Sequence, residues 1–138
     1  MSPRPRIVVA EDDAGVRDLI RTRLDTAGYE VHVAHDGVEA VGRINAVRPD
    51  AVVLDINMPN MNGFEVLEAM RGRVFTRAIP VLVLTARHAG DDVRRAISLG
   101  AKDYLTKPFN EAQLMARVAR LLRRPPSAPP KDNGAVMI

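Results

Sequence analysis

The segment Ala51-Val52-Val53-Leu54-Asp55-Ile56-Asn57-Met58-Pro59-Asn60-Met61-Asn62-Gly63 runs from apolar residues to a lone carboxylate and on into a turn-rich loop. A buried strand reads as a short continuous apolar run bounded by turn signals. Asp55 therefore falls where a core strand surfaces. The loop holds Pro59, and Asn62 with Glu65 three residues on forms a helix-start signal of the capping-box kind. The expected succession is strand, loop with a carboxylate at its root, helix.

The same unit repeats on both sides. Ile7-Val8-Val9-Ala10 is a short apolar run stopped by Glu11-Asp12-Asp13, and Val16, Leu19, Ile20, Leu24 and Ala27 follow at helical spacing until Gly28. Asp13 is the expected N-cap of that helix. Tyr29 to Ala34 alternates with period two, the pattern of a strand at a sheet edge. Asp36 and Glu39 start a helix carrying Val38, Val41 and Ile44, and Pro49 ends it. After Asn62, Phe64, Leu67, Met70 and Val74 continue a helical stripe. Val81-Leu82-Val83-Leu84-Thr85 is another buried strand; Asp91 opens a helix with Val93, Ala96 and Ile97, closed by Gly100. Asp103 to Thr106 is a strand ending at Lys107-Pro108, and Asn110 with Gln113 starts a last helix bearing Leu114, Val118, Leu121 and Leu122. Five strands alternating with five helices predict βαβ units and a parallel sheet covered on both faces, a doubly wound α/β domain over about residues 5–124.

Composition narrows the class. The chain has 138 residues, 46% hydrophobic and 27% charged, which suits one globular domain. Residues 1–4 read as a short lead without a signal-peptide stretch. Residues 125–138, rich in proline and without periodicity, are expected to form a flexible tail. Apolar runs of four or five residues cannot span a bilayer, so no membrane partner and a cytoplasmic location are expected. Cysteine is absent, which removes disulfides and thiolate zinc sites. The net charge of +3 comes from basic residues spread along the chain. Arg117, Arg120 and Arg124 share one stripe of the last helix, read as a solvated face. With 4% aromatic content and no recognition-helix motif, nucleic acid is not an expected partner of this chain.

The chemistry collects at the strand ends. In open parallel sheets, ligands bind beyond the carboxyl ends of the strands, where the strand order reverses. Strand one ends in Glu11, Asp12 and Asp13, strand three in Asp55, strand four in Thr85 and strand five in Lys107. In the common order 2-1-3-4-5, Asp12 and Asp55 face one crevice. Carboxylates so placed repel, and Lys107 alone does not balance them. A hard cation with oxygen ligands would, and the loop after Asp55 offers backbone carbonyls as well. His32, His35 and His88 are scattered, so Mg²⁺ (or Mn²⁺) is expected rather than Zn²⁺. Lys107 can pair with phosphate oxygens, the Thr85 hydroxyl can donate to one, and small Ala86 leaves room for the group. Together they fit an aspartyl phosphate in which the Asp55 carboxylate is nucleophile.

Glu11-Asp12, Asp55, Thr85-Ala86 and Tyr104…Lys107-Pro108, in order on one alternating pattern, resemble the receiver domain of two-component response regulators. The successive spacings of 43, 30 and 22 residues from Asp12 to Asp55, Thr85 and Lys107 look like that family's. The resemblance covers about residues 5–124 and implies a flavodoxin-like receiver fold. It also implies roles. Asp55 receives the phosphoryl group from a sensor histidine kinase or phosphotransfer protein. Asp12 ligates Mg²⁺ directly, Glu11 acts through water, and Asn57 gives its backbone carbonyl. Thr85 and Lys107 hold the phosphoryl oxygens beside Ala86. Lys107-Pro108 is a candidate cis bond. Thr85 and Tyr104 form the switch, and the face of helix four, strand five and helix five meets a downstream protein. Asn57 and Arg87 stand at positions that control water access, and Arg87 is expected to slow loss of the phosphate.

The resemblance leaves the assembly open between a monomer and a phosphorylation-dependent dimer. Arg117 with Asp103 matches a pair at dimer faces of receivers joined to winged-helix DNA-binding domains. Lys102 and Gln113, however, stand where that subfamily has acids. A stand-alone signalling switch, not an enzyme, is the preferred reading. Its alternatives are the receiver part of a truncated DNA-binding regulator and a Mg²⁺-dependent phosphatase with an aspartyl-phosphate intermediate. The phosphatase lacks an acid two residues after Asp55, where Asn57 stands, and any insertion long enough for a cap.

Overall fold

The computed structural model describes residues 4–86 and 89–123. Its elements run β1 (Arg6–Ala10), α1 (Ala14–Thr26), β2 (Glu30–Ala34), α2 (Gly37–Val47), β3 (Ala51–Asp55), α3 (Gly63–Arg71), β4 (Val81–Ala86), α4 (Gly90–Ser98), β5 (Asp103–Lys107) and α5 (Glu111–Arg123). The strands form one parallel sheet in the order β2-β1-β3-β4-β5. The expected doubly wound fold is what forms. The tail 125–138, most of the lead, Arg87, His88 and Arg124 lie outside the described residues.

Alternation along each strand sorts the core into two layers, because successive side chains point to opposite faces. Ile7, Val9, Val53, Leu82, Leu84 and Leu105 pack under Ile20 and Leu24 of α1 and Leu114, Val118 and Leu121 of α5. Val8, Ala10, Val52, Leu54 and Val83 pack under Ala40 and Ile44 of α2, Phe64, Leu67 and Met70 of α3, and Ala96 of α4. Each fully buried aliphatic side chain contributes roughly 1.5–3 kcal/mol over leaving it in water. β1 and β3 are buried along nearly their whole length, so residues at their ends inherit fixed positions.

Local signals start the helices much as their residues dictate. Asp13 Oδ1 accepts from the Val16 N–H at 3.0 Å, and Asn62 and Glu65 complete a capping box. Asn110 and Gln113 do the same before α5, at 2.8 and 3.2 Å. Such caps satisfy donors that the first turn leaves without partners.

Some expectations of burial were wrong. α3 stops at Arg71 rather than continuing through Val74, which is 68% exposed. The chain turns off because the buried Thr76 hydroxyl donates to the Met70 carbonyl at 2.7 Å, beside the Arg73 N–H. On α2 the inward positions are Gly37, Ala40 and Ile44, while Val38 is 60% exposed. A Cβ at position 37 would lie 1.9 Å from the Met61 carbonyl oxygen, so the helix presses its glycine inward and turns Val38 out. Leu19 and Ile97 are likewise exposed. α4 begins at Gly90 with Ala89 as its cap residue and no side-chain cap, so Asp91 lies inside the first turn.

Candidate functional site

The crossover from β2 to β3 passes over β1, so the strand order reverses beside β1 and β3, and their carboxyl ends open a crevice there. The Glu11 N–H continues the ladder by donating to the Ala34 carbonyl at 3.0 Å, which holds Glu11 at the sheet. Its side chain is 0% exposed and Asp55 is 3% exposed, whereas Asp12 is exposed at the rim. Lys107 reaches across from β5: its Nζ lies 2.7 Å from Glu11 Oε1 and 3.4 Å from Asp55 Oδ1. The ammonium approaches Glu11 Oε1 off the hydrogen-bonding direction, so that oxygen has an ionic neighbour yet no hydrogen-bond donor. Glu11 Oε2 accepts from the Asp13 N–H at 3.1 Å, and the Arg17 guanidinium braces the Glu11 carbonyl at 2.9 Å.

Each of Glu11, Asp12 and Asp55 offers a carboxylate oxygen within 4.8 Å of the others. One half-buried ammonium faces two buried acids and a third at the rim. Burial first, and then the Glu11 charge, push the Asp55 carboxyl up to about 7, against a smaller opposing pull from Lys107. Burial alone would lower Lys107; the close ionic contact with Glu11 and the charge of Asp55 outweigh it and raise the ammonium above its ordinary value. The imbalance is the fit a hard cation requires. Three carboxylates in an all-oxygen set, offset by one ammonium and so short of two positive charges, match Mg²⁺ by chemistry and by count. Among the described residues, no other group of three acids or histidines is so placed.

A cavity of about 640 Å³ opens above these groups. Asn57 and Lys107 line it with the acids, and Val16, Leu19, Ala86 and Phe109 add apolar surface. The Asn57 N–H donates to Asp55 Oδ1 at 3.2 Å, so the residue after next already orients the carboxylate. The Lys107–Pro108 peptide is cis. Thr85 does not line this cavity. It is 2% exposed, and its hydroxyl has no hydrogen-bond partner among the described residues. A second cleft, of about 370 Å³, is lined by Thr85, Ala86, Thr106 and Tyr104, with Tyr104 41% exposed.

The structure thus brings Glu11, Asp12, Asp55, Asn57, Ala86 and Lys107 together, and sets Thr85 and Tyr104 around the neighbouring cleft. Arg87 lies outside the described residues. Sequence reading missed the bracing by Arg17 and the contact of Asp36 with Asn60, because neither pair forms a local motif. The idle Thr85 hydroxyl has a measurable consequence. A buried hydroxyl without a partner carries its desolvation cost unrepaid, so Thr85→Val is expected to leave stability unchanged or raise it by up to about 1 kcal/mol. Urea unfolding of the metal-free protein would measure this; a loss above that size would show a hidden partner for the hydroxyl.

A five-stranded parallel sheet in the order β2-β1-β3-β4-β5, with an acidic crevice at its reversal point and a lysine from the last strand, is the arrangement of a receiver domain. The chain belongs to this family, because residues 7–119 match the response regulator receiver domain. Among relatives, it is 47% identical over 119 residues to response regulator MprA of Mycobacterium tuberculosis and 46% identical to that of Mycobacterium avium. In both cases the match covers 86% of this chain and 51% of the relative, so the chain spans about half the length of these relatives. Its fold matches chemotaxis response regulator CheY4 of Vibrio cholerae with a TM-score of 0.82 at 32% identity, covering 87% of this chain and 100% of that one. It also matches the receiver domain of sensor histidine kinase PA1611 from Pseudomonas aeruginosa, a structure with a magnesium ion coordinated in its active-site cleft. There the TM-score is 0.80 at 29% identity, covering 87% and 98% of the two chains. The protein is therefore a receiver domain of a two-component response regulator, and no helix among its described residues is long and apolar enough to cross a membrane.

Proposed function

We propose that Asp55 accepts a phosphoryl group from the phosphohistidine of a sensor kinase or phosphotransfer protein, in the cytoplasm, and that the domain signals through this modification. The observation that carries the reading is the buried carboxylate of Asp55, set 3.4 Å from Lys107 in an acidic crevice short of two positive charges. In the transfer, a carboxylate oxygen of Asp55 forms a bond to phosphorus as the bond to the donor nitrogen breaks. The electron pair leaves with the imidazole, and the product is an acyl phosphate.

Glu11, Asp12, Asp55 and the Asn57 carbonyl would hold Mg²⁺, as the magnesium-bearing relative encourages. When bound, the ion supplies charge neutralisation for the phosphoryl oxygens. The chain's own residues do the rest. Lys107 orients and neutralises phosphoryl oxygens as a point charge. The cavity wall of Val16, Leu19 and Phe109 limits water at one side. The Thr85 hydroxyl, without a partner among the described residues, supplies a donor for a phosphoryl oxygen. Movement of Thr85 toward the phosphate vacates room beside it, and Tyr104 turns from solvent into the cleft it already borders. The surface of α4, β5 and α5 then changes affinity for a downstream protein, a local charge event biasing a two-state element. On that surface Asp103 already binds both Arg117, at 3.3 Å, and Arg120. Those arginines are engaged within the chain.

The half-length match to the curated relatives favours a second reading of the output, in which this receiver regulates an attached effector such as a DNA-binding domain. Both readings share one test. Incubation with Mg²⁺ and a small acyl phosphate should add one phosphoryl group by intact mass, and Asp55→Ala should add none. A wild-type protein left unmodified would overturn the proposal.

A further inference from the structure

The loop that follows Asp55 is held at two places, and only one of them belongs to its own strand and helix. At its base, the Gly63 N–H donates to the Ile56 carbonyl at 2.9 Å. A Cβ on Gly63 would lie 2.6 Å from the Asp55 carbonyl oxygen, so the start of α3 closes directly on the end of β3. At its apex the loop is held from a different part of the chain. Asn60 adopts a left-handed backbone conformation, with φ of 67°, and its side-chain amide donates to Asp36 Oδ2 at 2.8 Å. Beside that bond, Gly37 lets α2 approach the Met61 carbonyl closer than any side chain would allow.

Asp36 serves both partners at once. Its Oδ1 accepts the Glu39 N–H at 2.8 Å to cap α2, which leaves Oδ2 for Asn60. The Glu39 N–H and then the Asn60 amide hold its carboxyl below the usual carboxylate range, so it stays an acceptor at neutral pH. Between the clamped apex and the closed base lie Asn57, Met58 and Pro59. Met58 is buried, and the Asn57 N–H is already engaged by Asp55.

From this geometry we infer that the Asp36–Asn60 pair, seated by Gly37, is a positioning device that fixes the Asn57 carbonyl for the cation. The inference rests on the metal site proposed above and adds residues that never touch the ion. A loop ordered in advance spares the ion the entropy of ordering it, so loss of the clamp appears as loss of affinity. Capping of α2 is a separate role of Asp36, and substitutions can separate the two.

Asn60→Gly keeps the left-handed backbone and removes the amide. Asp36→Ser keeps a cap for α2 yet is too short to reach Asn60. Magnesium affinity is measured by calorimetry on the full chain, and amide exchange of residues 57–61 is followed without metal. Each single variant is expected to bind Mg²⁺ about fivefold more weakly, the factor a single net hydrogen bond supplies. The double variant should be no weaker than about either single one, since both delete one interaction. Exchange at residues 57–61 should quicken while exchange within β1 and β3 stays as in the wild type. Wild-type Mg²⁺ affinity in Asn60→Gly, or strictly additive losses, would overturn the clamp and leave the metal site standing. A wild-type protein that takes up no Mg²⁺ would overturn the site and the clamp with it.

Discussion

Asp55→Asn is expected to stabilise the metal-free protein at pH 8 by on the order of 2–4 kcal/mol and to give almost no gain near pH 4. The cause is the placement of the carboxylate. Burial and the Glu11 charge raise the Asp55 carboxyl from 3.8 to about 7 in the folded state. Between those values the folded protein binds a proton that the unfolded chain has released. Stability contributed by this group is therefore full below 3.8 and falls as pH rises through the window, reaching its lowest level above about 7. Asparagine never ionises, so the variant escapes the loss. The difference between the two stability curves should open across that window, and urea unfolding at a series of pH values would trace it. Addition of Mg²⁺ should reverse the order, stabilising the wild type far more than the variant, because the site loses one of its three carboxylates. Parallel curves at all pH values would show that Asp55 is not the strained group. A site that costs stability when empty is a common mark of function.

Lys107→Met is expected to destabilise the protein by roughly 3 kcal/mol at pH 8, because it leaves the buried Glu11 and Asp55 without their cation. Glu11 is fully buried and 2.7 Å from the ammonium, so the loss falls mainly on a charge that water cannot reach. The Lys107 charge is also the main influence that lowers the Asp55 carboxyl, so its removal should hold a proton in the site to higher pH. The defect should shrink toward pH 5, as that proton relieves the repulsion. Adding Asp55→Asn to Lys107→Met should recover a large part of the stability, a non-additive result that a double-mutant cycle of unfolding energies would measure. Full additivity of the two changes would mean that Lys107 acts elsewhere. Phosphoryl uptake from a small acyl phosphate should also slow, by a factor separable from stability when assayed well below the midpoint of unfolding.

Much of the fold was legible because its signals are local. Ala51 to Leu54, with no polar residue, had to be buried on both faces, and the alternating Tyr29 to Ala34 had to lie at an edge. Asp13, Asn62 and Asn110 announce helix starts through bonds to residues three positions away. Val74 and Val38 were misplaced for the opposite reason. Helical spacing alone extends α3 through Val74, but the Thr76 hydroxyl captures the Met70 carbonyl and ends it. Helical spacing also puts Val38 on the α2 stripe, until the backbone at Met61 demands Gly37 in its place.

The candidate site divides along the same line. Residue types at strand ends determined which groups could meet: acids at the ends of β1 and β3, a hydroxyl at the end of β4 and a lysine at the end of β5. Their polarity interrupts apolar runs, and a parallel sheet must bring such interruptions to one edge. Only the packed structure decided how those groups share charge. It buried Glu11 completely, left Asp12 at the rim, drew Lys107 onto Glu11 more closely than onto Asp55, and gave the Thr85 hydroxyl no partner among the described residues. It alone joined Asp36 to Asn60 across 24 residues. Burial, distance and desolvation depend on neighbours from every part of the chain. A periodic pattern records only which way each residue faces.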